Sequence, residues 1–202
     1  MHLKLLFLCV SLIPVISAVF TAAGIRALVD GHNAFRRKIA KGQYHQKYGK
    51  FPEASNMRKI HWDRNLAQGA QAFANRHPNG HDDNCKTGEN MYWMYDMGPT
   101  SHDSHAPRAI KMWGDEFISL GMVGIKTGNG VGANGHATQM AWADTSKLGC
   151  GISNWKDGKY MKTVVVCRYM SPGNWPNALM YKPGAPASRC PAGTRPDNGL
   201  CA

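Results

Sequence analysis

Two adjacent runs near the C-terminal end constrain the fold most. "KLGCGISNW" (147–155) and "KYMKTVVVCRY" (159–169) are short, apolar or β-branched, and joined by "KDGK". Runs of this kind favour strands. Asp157-Gly158 is a type I′ turn signal, so the pair predicts one β-hairpin. Each predicted strand carries a cysteine, Cys150 and Cys167.

Upstream, the apolar period changes. Ile25, Leu28, Val29, His32, Phe35 and Ile39 recur at spacings of three and four, which predicts a helix over 24–40. A second helix starts after Asp63, a good N-cap, with Leu66, Ala70, Phe73 and His77 on one side. Pro78 and Gly80 stop it. Residues 91–107 read as a loop rich in aromatics, Met and His. A third helix follows Pro107, with Ile110, Trp113, Phe117 and Leu120 as its stripe. Six glycines make 121–135 irregular, and a short fourth helix is expected over 136–141. Helices followed by a hairpin imply an α+β domain, and 202 residues suit one such domain.

The N-terminus reads as a secretory signal over residues 1–18. Lys4 is the basic end, "LLFLCVSLIPVI" the apolar run, and Ser17-Ala18 the small residues before cleavage. An uncleaved anchor is the alternative. No second apolar run of membrane length follows, so the mature protein is expected to be extracellular, with disulfides allowed. Cys9 leaves with the signal. Cys85, Cys150, Cys167, Cys190 and Cys201 remain, an odd number, so one thiol is free or pairs with another molecule. The domain is expected over 19–178. A Cys-containing extension over 179–202 follows, ending "SRCPAGTRPDNGLCA".

The formal net charge is +11. Arg36, Arg37, Lys38, Lys41, Lys47 and Lys50 cluster without an intervening acid. This stretch is either a solvated helix end and loop or a patch for acidic glycans, anionic lipid or acidic proteins. Nucleic acid is not an expected partner of an exported chain.

Chemistry is signalled weakly by spacing. Glu89 sits in "GEN". Glu116 shares a helix face with Trp113, and an acid on an apolar stripe needs a partner. His136 opens the fourth helix, and His77 and His81 flank the end of the second. Two imidazoles and two carboxylates suit a divalent cation such as zinc, although no H-E-x-x-H motif is present. No G-x-S-x-G elbow marks a nucleophile.

Six motifs in order resemble the CAP superfamily (SCP/TAPS) of cysteine-rich secretory proteins, antigen 5 and pathogenesis-related 1 proteins. They are "HNAFR" (32–36), "MRKIHWDRNLAQGAQAFA" (57–74), "GEN" (88–90), "WGDE" (113–116), "GHATQMAWADT" (135–145) and "VVVCRYMSPGNW" (164–175). Within that family the chain resembles the secreted venom-allergen-like proteins of nematodes. It departs at Ala137 and Ser171. His77 and Trp155 stand where many members carry a disulfide pair, and Asp82 follows His81 where serine is usual. His77 is the alternative to His81 if the loop is shifted.

The resemblance implies a three-layer α-β-α sandwich and a groove lined by His81, Glu89, Glu116 and His136. In some members that groove holds a divalent cation, zinc foremost here and not obligatory. It also implies Cys150–Cys167 and Cys190–Cys201 bonds, leaving Cys85 odd. The function implied is a secreted, non-enzymatic effector or immunomodulator. Its expected ligands are lipid (sterol or fatty acid), a host extracellular protein, or acidic glycans. Tyr92, Trp93, Met94, Tyr95 and Met97 form the candidate sterol loop, or else pack beneath it. A metal-dependent peptidase using the same tetrad is the alternative.

Overall fold

The computed structural model describes residues 19–130 and 132–202; the expected signal segment and Cys9 lie outside them. Helix α1 (Ala22–Ala40) is followed by a small hairpin, β1 (His45–Gln46) and β2 (Gly49–Lys50). Strand β3 (His61–Trp62) leads into α2 (Arg64–Ala74), and β4 (Gly88–Asp96) precedes α3 (His105–Ser119) and the short α4 (Gly135–Met140). Strands β5 (Lys147–Asp157) and β6 (Tyr160–Met170) follow, and the tail ends in β7 (Pro196–Asp197) and β8 (Leu200–Cys201).

The central sheet has the order β3-β5-β6-β4, antiparallel except for the β3–β5 pair. Alternation along β6 assigns its two faces. Val164 and Val166 turn towards Ala70 and Ala74 of α2. Val165, Cys167 and Tyr169 turn into the larger core with Leu28, Trp113, Phe117 and Met140 of α1, α3 and α4. The result is an α-β-α sandwich. Gly149 and Gly151 let α2 lie against β5: a Cβ on Gly151 would stand 2.3 Å from the Gln71 Cα.

Asp63 caps α2, its Oδ1 accepting from the N–H groups of Asn65 and Leu66, both at 3.0 Å. The helix ends at Ala74, short of Pro78. Pro107 lies in the first turn of α3, which begins two residues earlier than expected. The hairpin has Gly158-Lys159 as its central pair, because Asp157 pairs with Tyr160. Only Gly158 of the two has positive φ, so the turn follows the II′ pattern rather than the expected I′.

The expected loop over 91–107 needs a larger correction. Residues 91–96 belong to β4, in full register with β6 from Gly88↔Tyr169 to Asp96↔Met161. Disulfides join Cys150 to Cys167, directly opposed across β5 and β6, and Cys190 to Cys201. The tail lies on the domain: Cys201 exchanges backbone bonds with Met57 and Lys59, and Leu200 is buried.

Arg36 departs furthest from its expected place in a basic patch. Its side chain is fully buried. Its guanidinium donates to the carbonyls of Arg58, Met140, Trp142, Ala143 and Thr145 at 2.7–3.2 Å. Burial first, and then the charge of Arg58, hold its pKa down to about 9, so it stays charged at neutral pH. Arg36→Met removes every donor and strands those carbonyls. The expected loss is about 4 kcal/mol or more, read from the urea midpoint. Arg36→Lys keeps the charge but not the fork, and is expected to recover only part.

Candidate functional site

A cleft of about 570 Å³ opens between the start of β4, the N-terminal end of α4 and residues 172–174. His81, Cys85, Glu89, Gln139 and His136 are among its lining residues. Glu116 stands behind His136 rather than on the wall.

The four residues form two pairs. His81 Nδ1 lies 2.8 Å from Glu89 Oε1, and His136 Nδ1 lies 2.5 Å from Glu116 Oε1. With Nδ1–H donated to a carboxylate, each neutral ring keeps its lone pair on Nε2. Glu89 is nearly buried, its side chain 5% exposed. Its Oε1 also accepts from the Asp82 N–H at 3.1 Å, and its Oε2 faces Arg168 Nε at 3.7 Å without a hydrogen bond. Glu116 Oε2 accepts from the Ala137 N–H at 3.0 Å, in the first turn of α4.

Around each pair lie residues that were not expected to take part in the site. Asp82 accepts from Arg168 at 2.5 Å, so the carboxylate that replaces the usual serine holds an arginine beside Glu89. The Trp113 ring stacks beside His136, with centroids 6.0 Å apart and planes 16° from parallel. Asn90 donates to the His136 carbonyl and to the Tyr169 hydroxyl, both at 3.1 Å. Tyr169 in turn meets His32 Nε2 at 2.9 Å. Asn90 was findable as the neighbour of Glu89 in "GEN"; Tyr169 and Arg168 carried no signal apart from their motif.

His77, the alternative to His81, is elsewhere. It stacks on Trp155 with centroids 4.1 Å apart and planes 12° from parallel. The positions that lack the usual disulfide thus carry an aromatic stack between the end of α2 and the hairpin. Cys85 is a free, half-buried thiol whose Sγ lies 2.9 Å from Thr87 Oγ1.

The candidate sterol loop is mostly sheet. Tyr92 is buried, and Trp93 and Met94 are half-buried. Trp93 donates from Nε1 to the Pro78 carbonyl. Only Tyr95 (50%) and Met97 (74%) are exposed, so the five residues do not make one apolar surface.

Among the described residues, no group of three or more His, Cys, Asp or Glu is arranged to hold a metal ion. The imidazole atoms left free of the carboxylates are the two Nε2 atoms, donors of the kind that zinc takes. An imidazole whose far nitrogen is held by a carboxylate is the usual form of a metal-ligating histidine.

The chain belongs to the cysteine-rich secretory protein (CAP) family, whose model matches residues 29–169. It is 36% identical to human "Cysteine-rich secretory protein 3" over 185 residues, covering 87% of this chain and 67% of that protein. It is 34% identical to "Venom allergen 5" of Vespula flavopilosa, covering 83% and 84%. Among solved structures, Na-ASP-1 matches with a TM-score of 0.81 and 27% identity over 92% of this chain, which spans 48% of Na-ASP-1. "NaASP2 with Zn2+" matches with a TM-score of 0.77 and 26% identity, covering 90% and 96%.

The chain beneath the cleft titrates. His32 is fully buried, and its Nδ1–H donates to the Leu28 carbonyl at 2.7 Å. Burial holds its pKa down to about 4, from 6.5. The folded protein therefore keeps His32 neutral where the unfolded chain takes up a proton. The associated stability is full above pH 6.5 and is lost as pH falls towards 4, by roughly 3 kcal/mol. Urea unfolding at neutral pH and at acid pH is expected to show this loss, and His32→Gln is expected to flatten it.

Proposed function

We propose that this is a secreted, non-enzymatic binding protein that recognises its ligand in the cleft through a divalent cation. One observation carries the reading. Two imidazoles, each oriented by a carboxylate through Nδ1, line one cleft of about 570 Å³. His81 and His136 would hold the ion through Nε2, and Glu89 and Glu116 would fix the rings. The cation, when bound, supplies a Lewis-acidic contact for an oxygen or nitrogen atom of the ligand. Imidazole donors favour zinc over magnesium or calcium. The similar structure described as "NaASP2 with Zn2+" supports this choice. Export is supported by relatives named as secretory proteins, venom allergens and a "Salivary antigen-5". It is also supported by the two disulfides.

The residues favour binding over hydrolysis. Glu89 and Glu116 are committed to imidazole and backbone donors, and Asp82 is held by Arg168. Glu89 Oε2, the one oxygen of Glu89 and Glu116 without a hydrogen bond, is buried against Arg168. In calorimetric titration, the wild type is expected to bind zinc, and His81→Ala or His136→Ala to weaken it at least tenfold. Glu89→Gln is expected to weaken it about tenfold. Unchanged affinity in both histidine variants would overturn the cation reading. Zinc-dependent peptide turnover abolished by His136→Ala would replace it with the peptidase.

The lipid part of the reading has its own support, away from the β4 strand. A second hollow of about 270 Å³ opens at the β3 edge of the sheet, between the start of α1 and α2. Phe20, Ile25, Trp62 and Ala67 make it apolar, with Arg64 and Gln68 also in its wall. It lies just below the range of small-molecule sites, about 300–1,000 Å³. That size suits the end of an acyl chain with its carboxylate at Arg64, rather than a sterol. Ile25→Trp fills the hollow and is expected to abolish binding of a fluorescent fatty acid while leaving zinc titration unchanged.

A further inference from the structure

The exposed apolar residues are unevenly placed, and one group sits beside the cleft. Val123 is 84% exposed, Trp175 58% and Leu179 49%. They belong to two segments held side by side. Lys126 bridges Leu179, the Thr127 N–H donates to the Ala178 carbonyl, and the Met180 N–H donates to Ile125. The Asn177 N–H donates to Gly128, and Thr127 Oγ1 donates to the Trp175 carbonyl at 2.6 Å. The next residues, Pro172–Asn174, line the cleft, so this strip forms one of its lips.

Three properties narrow what the strip meets. The first is charge: residues 121–135 and 171–186 contain no Asp or Glu, but they carry Lys126 and Lys182, both exposed. Two acids approach the strip from other segments: Glu53 at its far end, where its carbonyl accepts from the Gly184 N–H, and the exposed Asp144, next to Ala143, whose N–H donates to the Met180 carbonyl. The second is hydrogen bonding. The N–H groups of Thr127, Asn177 and Met180 are paired within the strip, and the Trp175 indole N–H already donates to the Pro172 carbonyl. Those groups can leave water without being stranded, which an apolar phase demands. The third is mixture: a tryptophan and aliphatic side chains set beside lysines match the boundary between acyl chains and headgroups.

We infer that this strip docks the protein onto the surface of an anionic phospholipid bilayer. Val123, Trp175 and Leu179 enter the boundary region, and Lys126 and Lys182 meet the headgroup charge. The chain's net charge of +11 draws it to the same surface. Docked this way, the cleft lip lies against the membrane. The inference does not rest on the cation reading.

The test uses the mature chain and phosphatidylcholine vesicles with or without about one third phosphatidylserine. Sedimentation with the anionic vesicles is expected, weakening as salt rises. Trp175 is the one exposed tryptophan of six, so its emission is expected to shift to the blue on binding. Replacing Val123, Trp175 and Leu179 together by serine is expected to lower partitioning about tenfold or more. Lys126→Glu with Lys182→Glu is expected to do the same. Met97→Ser with Met112→Ser, exposed elsewhere, leaves it unchanged. Should the triple variant fail to fold, brominated lipids report on the wild type, where quenching of Trp175 emission is expected. Three results would overturn the inference: no sedimentation at low salt, sedimentation unchanged by the triple variant, or no quenching. A concentration-dependent dimer abolished by the triple variant, without lipid binding, would assign the strip to a protein contact instead. Zinc titration of the same variants keeps the two proposals separate.

Discussion

The Arg36 guanidinium is the interaction on which the rest of the structure depends. It carries a full charge into the core and is satisfied there by carbonyl oxygens. Four of them come from one stretch, Met140 to Thr145, which leaves α4 and turns into β5. A second segment, at Arg58, is tied to the same fork. A neutral side chain could pack in this space, but it could not satisfy carbonyls converging from two directions. One residue of α1 thereby sets where β5 begins and where α4 ends.

Much of the fold was legible because it rests on local patterns. The three- and four-residue spacing of α1 and α3, the Asp63 cap and the β-branched run of β6 each carry their own physical reason. The β4 strand was not legible in that way. Met91 faces the α2 cluster and Tyr92 the main core, so the strand is buried on both sides. A strand covered on both faces loses the polar-apolar alternation that marks a half-buried one. "MYWMYD" then reads as a sticky loop. Arg36 failed for a different reason: clustering of charge in sequence says nothing of burial, and its carbonyl partners are mostly more than a hundred residues away. Legibility of the site followed the same division. Residue types and motif order singled out the histidines and glutamates. Their division into two pairs, with Glu116 behind the cleft wall, depends on how α3 meets α4 and how the 81–82 turn meets β4.

The His77–Trp155 contact shows how a departure from a family pattern is absorbed. The positions still face each other, and two flat rings at 4.1 Å fill the gap that a covalent link would close. Lys162 lies over the same Trp155 ring, 5.4 Å from its centroid. A stack of this kind contributes about 0.5–1.5 kcal/mol beyond area burial. That is less than a disulfide typically adds, about 2–4 kcal/mol. The end of α2 is therefore held less firmly to the hairpin than a cross-link would hold it. The loop that follows α2 carries His81 and Asp82. On that side the cleft wall is anchored by hydrogen bonds and charge, through Glu89 and Arg168, rather than by a covalent frame.

The opposite wall is built differently. Helix α4 has only six residues, too short to be stable by itself. It is held at both ends by charge of the sign its dipole favours. Glu116 accepts from the Ala137 N–H at its start, and the Arg36 guanidinium binds the Met140 carbonyl at its end. The same Glu116 takes the His136 imidazole through its other oxygen. The His136 carbonyl is reached by Asn90, and Asn90 and the buried His32 share the Tyr169 hydroxyl. Arg36 lies one helical turn after His32 on α1. The orientation of His136 is thus fixed from two positions on one helix, by a charge and by a neutral imidazole. A disturbance of either reaches the cleft through α4, without touching a residue that lines it.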